Sequence, residues 1–260
     1  MLEAAMNPSL VGLIVFACTL GGALLGNALR GWLPADHLDG ESRDTMRAGI
    51  GLIATMSALV LGLVTASARN SFDMVDRAVE QTAMDVLTLD RLLSRYGPET
   101  GEVRAALKQA ISVRMEMLWP SSADESVQLD PIQSGSAAEA ERLADAIQRL
   151  DPRDAFQRSL KRRATGLVEK VLETRWMMTA SGATSVSLPF LVVLVFWLTI
   201  TFASFGLFAP RNATVLAVLL VCAMSVGSAV FLILELDGPF EGLIRVPSSP
   251  FEYVRAHLAQ

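Results

Sequence analysis

Six residues of one apolar stretch share a face and a chemistry. Gly51, Thr55, Ala58, Gly62, Thr65 and Arg69 are spaced 4, 3, 4, 3 and 4 apart, so on a helix of about 3.6 residues per turn they form one longitudinal stripe. The first five are small or hydroxyl-bearing. Along a pore such a stripe leaves space and offers weak hydrogen bonds, with Arg69 at the mouth. The same spacing also serves close helix packing in lipid, because small residues four apart let backbones approach. Gly22/Gly26 and Ala223/Gly227 repeat the spacing on other apolar stretches. They cannot all face one pore, so lining and packing both stand as readings of the stripe.

Two charged groups are further candidates. Residues 153–175 carry seven Lys and Arg against three Asp and Glu, a local net of +4, with Lys161, Arg162 and Arg163 in succession. A basic surface of this kind concentrates anions ahead of a pore or touches anionic headgroups; a solvated helix face is the plainer reading. Glu235 and Asp237 precede a Gly238-Pro239 turn at the end of an apolar run. They are placed to gate a vestibule or contact a cation, or simply to pair with Arg245. The acidic loop Asp36–Glu41 has too few and too irregular oxygen ligands for a calcium loop. The two histidines, His37 and His257, are far apart, and no phosphate loop, nucleophile elbow, zinc motif or kinase signature is present. No enzyme, no metal site and no cofactor are expected.

The elements that must position these residues follow from composition. Of 260 residues, 52% are hydrophobic and 19% charged, with a mean hydropathy of +0.40. A soluble domain is about 25% charged, so the excess is membrane-like. A net charge of −5 excludes a basic nucleic-acid binder. Both cysteines, Cys18 and Cys222, lie in apolar runs and read as small hydrophobes. Four runs have the roughly 17–25 residues that a bilayer demands: Ser9–Leu29, Ala48–Ala66, Leu188–Phe208 and Ala213–Leu236. None carries a charge before Glu235. The flank Met1–Pro8 holds Glu3 and no Lys or Arg, so the first run is not expected to be a cleaved signal.

The runs form two hairpins, and four expected segments follow: 1–66 with spans 9–29 and 48–66, a polar helical domain at 67–187, spans 188–208 and 213–236, and a tail at 237–260. An even number of spans puts both termini and the polar block on one side. That side holds 18 of the 22 Lys and Arg, and counting only those near span ends leaves about six against four, which favours the cytoplasm by the positive-inside rule. Within the block, Phe72, Val75, Val79, Ala83, Val86, Leu89 and Leu93 continue the second span's helix to about Tyr96, where Gly97-Pro98 breaks it. Further helices are predicted over Glu99–Trp119 and Ala137–Leu150, with a loop at Ser121–Ser136. Another is expected to open at Asp151-Pro152, an N-cap followed by proline, and to lead back toward the membrane with Ser181-Gly182 as a kink. No strand pattern appears, so the expected fold is all-α.

A resemblance extends this reading. Ile233–Val246, ILELDGPFEGLIRV, followed by Pro247-Ser-Ser-Pro250, resembles the signature of the bestrophin-like family of bacterial membrane proteins, distantly similar to bestrophin anion channels. Gly51–Ala68 running into Arg69-Asn-Ser-Phe-Asp73, and then Glu80, Thr82 and Asp85 on a long helix, resemble the same family. The resemblance implies a pentamer of four-span subunits with cytosolic termini, a pore lined by the second span and a helical cytosolic vestibule. The second span has no phenylalanine for a bestrophin-type aromatic neck, and Glu235–Glu241 is sparser than a bestrophin calcium clasp.

The expected function is therefore a homo-oligomeric, bestrophin-like channel in a bacterial inner membrane, passing small anions passively. Gly51, Thr55, Ala58, Gly62, Thr65 and Arg69 would line it, and Lys161, Arg162 and Arg163 would attract anions. Its partners would be lipid, further copies of itself and small anions, with no nucleic acid. The rival expectation is a non-conducting scaffold or sensor whose helical domain binds partners, with Ser121–Ser136 as a docking loop.

Overall fold

The computed structural model describes residues 7–30, 32, 40–120, 136–181, 188–210 and 212–258. The acidic loop before Gly40, the loop 121–135 and the Gly182 half of the expected kink lie outside them, as does the flank before Asn7. All regular structure among the described residues is helical. Eight α-helices run α1 Pro8–Leu29, α2 Gly40–Tyr96, α3 Gly101–Leu118, α4 Ser136–Gln148, α5 Ala155–Ser181, α6 Leu188–Phe208, α7 Ala213–Asp237 and α8 Ser249–Leu258. The chain divides into two compact units: Met1–Phe72 with Thr184–Ile244, and Asp73–Ala183 with Arg245–Gln260.

Among the described residues, four helices are long and apolar enough to cross a membrane: α1, α2, α6 and α7. In the first unit α1 packs along both α6 and α7. Val11 and Val15 meet Leu191 and Val230, with Leu61 of α2 against the same cluster. Ala23, Phe202 and Ala223 form a second cluster. Small residues set how closely these helices approach. A Cβ on Gly26 would run into the carbonyl oxygen of Ala203, and one on Gly206 into that of Ala23. A Cβ on Gly22 would come within 2.8 Å of the Thr199 carbonyl oxygen, and one on Gly227 within 2.9 Å of the Gly12 carbonyl oxygen. Here the small-residue spacing is close packing, the arrangement that substitutes for a hydrophobic driving force in lipid. Asn212 caps α7, its Oδ1 accepting from Val215 N at 2.9 Å.

The second unit is a helical layer built on the polar part of α2. Of the row predicted to face inward, Val79, Ala83, Val86, Leu89 and Leu93 are buried here and Val75 is half-buried, while Phe72, which closes the first unit, is buried too. Asp90 receives a bidentate pair from Arg104 of α3, at 2.7 and 3.0 Å. That hydrogen bond holds the Arg104 guanidinium above its ordinary pKa. Buried Asp85 accepts from Gln81 at 2.9 Å and pairs with Lys170 of α5 at 3.0 Å. α3 packs against α4 and α8, where the Trp119 indole donates to the Val246 carbonyl at 2.8 Å and its ring lies 5.9 Å from Phe251.

Three features differ from the sequence reading, the first being that α2 opens at Gly40, eight residues before the expected span. α5 opens at Ala155, not at Asp151-Pro152. Asp154 accepts from Gln157 N at 2.7 Å while the Gln157 side chain accepts from Arg153 N at 2.7 Å; this reciprocal cap satisfies two donors, where a proline at the first position only removes one. The tail beyond Val246 holds α8, opened by Ser248, whose hydroxyl donates to Glu252.

α2 ends where expected, at Tyr96, and Gly97 follows at φ +137°, in the region that favours glycine. Thr100 then donates to the Leu93 and Gly97 carbonyls at 2.7 and 2.8 Å. Tyr96 packs on Leu92 and Leu160, and its hydroxyl is buried without a hydrogen-bond partner. Burial first, and the nearby Glu99 carboxylate second, hold its phenol above the usual 10.0. Tyr96→Phe is expected to stabilise this unit by about 1 kcal/mol, since it removes an unsatisfied buried group. The raised pKa favours the neutral form in the fold. Its contribution is complete below about pH 10 and is lost as pH climbs from there through the raised value. Denaturant unfolding at pH 8 and pH 11 should therefore show a smaller alkaline loss in the variant than in the parent.

Candidate functional site

The amide-to-carbonyl ladder of α2 places residues in three adjacent rows across its apolar half, each offset by one residue, or about 100°. Ile50, Ala54, Ser57, Leu61, Val64 and Ala68 are buried or half-buried. One residue on, Gly51, Thr55, Ala58, Gly62, Thr65 and Arg69 are all exposed. One further, Leu52, Met56, Leu59 and Leu63 are exposed too, at 45–64%. Only 6% of the most apolar window of α2 is buried, against 39% in α1.

This separates two uses of one spacing. Gly12, Gly22 and Gly26 of α1, Gly206 of α6 and Gly227 of α7 press on a neighbouring helix, whereas a Cβ on Gly51 or on Gly62 would meet nothing within 4 Å. Packing inside the subunit is not what makes these α2 positions small. Gly51, at the end of the row, borders a groove shared with α6 and α7. Thr55 Oγ1 donates to the Gly51 carbonyl at 2.8 Å and Thr65 Oγ1 to that of Leu61 at 2.7 Å. With their protons spent on the backbone, these hydroxyls offer oxygen lone pairs rather than donors. Positive charge on the row comes from Arg69, whose guanidinium stands 5.8 Å from the centre of the Phe72 ring.

The basic residues of α5 divide. The Lys161 ammonium donates to the carbonyls of Gln148 and Leu150, each at 2.7 Å. It thereby closes the end of α4, where unpaired carbonyls attract a cation. Arg162 and Arg163 are exposed. The acidic pair divides as well. Glu235 is buried, and its carboxylate accepts from Leu243 N at 2.6 Å and Ile244 N at 3.3 Å. Gly242, at φ +76°, lies so close that a Cβ there would strike the same carboxylate. Glu235 thus anchors the turn that follows α7, while Asp237 and Arg245 each have interactions of their own. Among the described residues no three His, Cys, Asp or Glu side chains come together. Sequence reading missed the roles of Lys161 and Glu235 because their partners are backbone groups, which carry no sequence signal.

Comparison with known proteins agrees with the helical arrangement. A point variant of a bacterial bestrophin homologue from Klebsiella pneumoniae has a similar fold, with a TM-score of 0.67, 14% identity, and cover of 95% of this chain and 97% of that one. A second point variant of a Klebsiella pneumoniae bestrophin homologue matches at a TM-score of 0.64 and 14% identity, over 96% and 99% of the two chains. A structure described only as a membrane protein matches at 0.68 and 14% identity, over 95% and 96%. No curated relative matches the chain. At this identity the structures establish the fold, and the family follows from sequence: the model of the bestrophin-like domain matches residues 15–251. The chain is a membrane protein of the bestrophin-like family.

Proposed function

We propose that the chain is one subunit of an oligomeric channel that passes small anions passively, with α2 lining the pore. The observation that carries the reading is the exposed row from Gly51 to Arg69, whose Gly51 and Gly62 have no neighbour within the subunit, whereas Gly12, Gly22, Gly26, Gly206 and Gly227 pack on a neighbouring helix. In a closed ring of copies the three rows of α2 have three destinations. The buried row meets its own bundle, the bulky Leu52, Met56, Leu59 and Leu63 row meets a neighbouring copy or lipid, and the small row faces the axis. Such a ring uses heterologous contacts that close by rotation, and the resemblance to bestrophin channels supports a ring of five. Arg69 supplies a ring of positive charge at the inner mouth, and Arg162 and Arg163 raise the local anion concentration. The polar unit and both termini lie in the cytoplasm of a bacterium, with the spans in its inner membrane.

Arg69→Glu tests the sign of selectivity. In planar bilayers under a chloride salt gradient, the parent protein should reverse at the chloride side of zero, and the variant should shift toward the cation side. An unchanged reversal potential would remove Arg69 from the mechanism.

A further inference from the structure

A groove of about 480 Å3 runs between α2, α6 and α7 at the ends nearest the α6–α7 turn, within the range of ligand-sized clefts. Its walls are mostly apolar, including Ile50, Ala54, Phe205, Phe208 and Val218, with Ser204, Thr214 and Arg47 among them. Arg47 is the last charge before the uncharged run 48–66. Its side chain is 60% exposed and lies 3.7 Å from Asp44, itself 79% exposed. An exposed pair of that length is worth little, and the guanidinium keeps most of its five donors for another oxygen. From Arg47 to Ala54 the helix rises about 10 Å, so one wall passes from a cation into continuous hydrocarbon.

We propose that this groove binds a phospholipid with an anionic headgroup, its phosphate on Arg47 and an acyl chain laid along Ile50, Ala54 and Val218. Charge and depth both select this occupant. Arg47 stands where charge first appears on the helix, the level at which headgroups meet hydrocarbon. Phe205 and Val218, 48% and 56% exposed, open the groove toward the hydrocarbon that surrounds a spanning helix. A planar guanidinium pairs bidentately with phosphate, and an uncharged helix of a second copy would leave it unanswered.

Native mass spectrometry of the full chain in an uncharged detergent tests this, with dioleoyl phosphatidylglycerol, dioleoyl phosphatidylcholine and inorganic phosphate as probes. Phosphatidylglycerol, whose phosphate charge no choline cation offsets, should bind about tenfold more tightly than phosphatidylcholine. Arg47→Gln should bring that ratio near one. Val218→Trp, which fills the groove from an exposed position, should weaken both lipids while leaving the oligomer's mass unchanged. Equal binding of the two lipids by the parent, lipid binding undiminished by Val218→Trp, or inorganic phosphate bound as tightly as the lipid would each overturn the assignment. A loss of oligomer mass in Val218→Trp would give the groove to a neighbouring copy and overturn it as well.

Discussion

Gly26→Val is expected to destabilise the apolar unit by at least about 3 kcal/mol, the upper part of the range for overpacking, and to leave little folded protein after extraction. The added Cβ alone would enter the Ala203 carbonyl, and the facing Gly206 has the same relation to Ala23. Two backbones, rather than a flexible side chain, would have to separate, and α1 would lose its seat on α6 along the Ala23–Phe202 cluster. Gly62→Ala is the matched control. Nothing lies within 4 Å of its Cβ, so it should be neutral or stabilising by up to about 1 kcal/mol, the helix-propensity gain. Thermal denaturation of both variants in one detergent reads the difference directly. Equal destabilisation would mean that the two spacings do the same work.

The second large effect concerns transport. Gly62→Trp places an indole in the middle of the exposed row, where the subunit itself offers no obstruction. If the row faces the axis, several copies of that indole converge there, and chloride flux from liposomes should fall to that of protein-free vesicles. Light scattering should still return the parent oligomer, because the bundle contacts of α2 lie on the Ser57, Leu61 and Ala68 row. Retained flux through a correctly sized oligomer would place the row in lipid or against a neighbouring copy.

The fold was legible where one physical requirement dominates. Uncharged runs of bilayer length identify the spans, and α6 begins and ends at Leu188 and Phe208 as read from composition. The inward row of α2 and its stop at Tyr96 follow from helical period and a glycine–proline break. The start of α5 was not legible, because two capping solutions compete within four residues and the one adopted, Asp154 with Gln157, satisfies two donors. At the candidate site the limit was tertiary. Gly26 and Gly62 have the same neighbours in spacing, and what distinguishes them is Ala203, 177 residues further along the chain than Gly26. Lys161 looks like a free cation until α4 brings the Gln148 and Leu150 carbonyls to it.

Cysteine accessibility in liposomes reads whether the Gly51–Arg69 row faces water in the assembled protein. Cys18 and Cys222, both exposed, are replaced by serine, and single cysteines are placed at Ala58, Gly62 and Thr65 or, on the adjacent row, at Leu59 and Leu63. A charged, membrane-impermeant thiol reagent should modify the first three and block chloride flux, and should leave Leu59→Cys and Leu63→Cys unmodified and conducting. Modification of the leucine row with the small row protected would place the small row away from water.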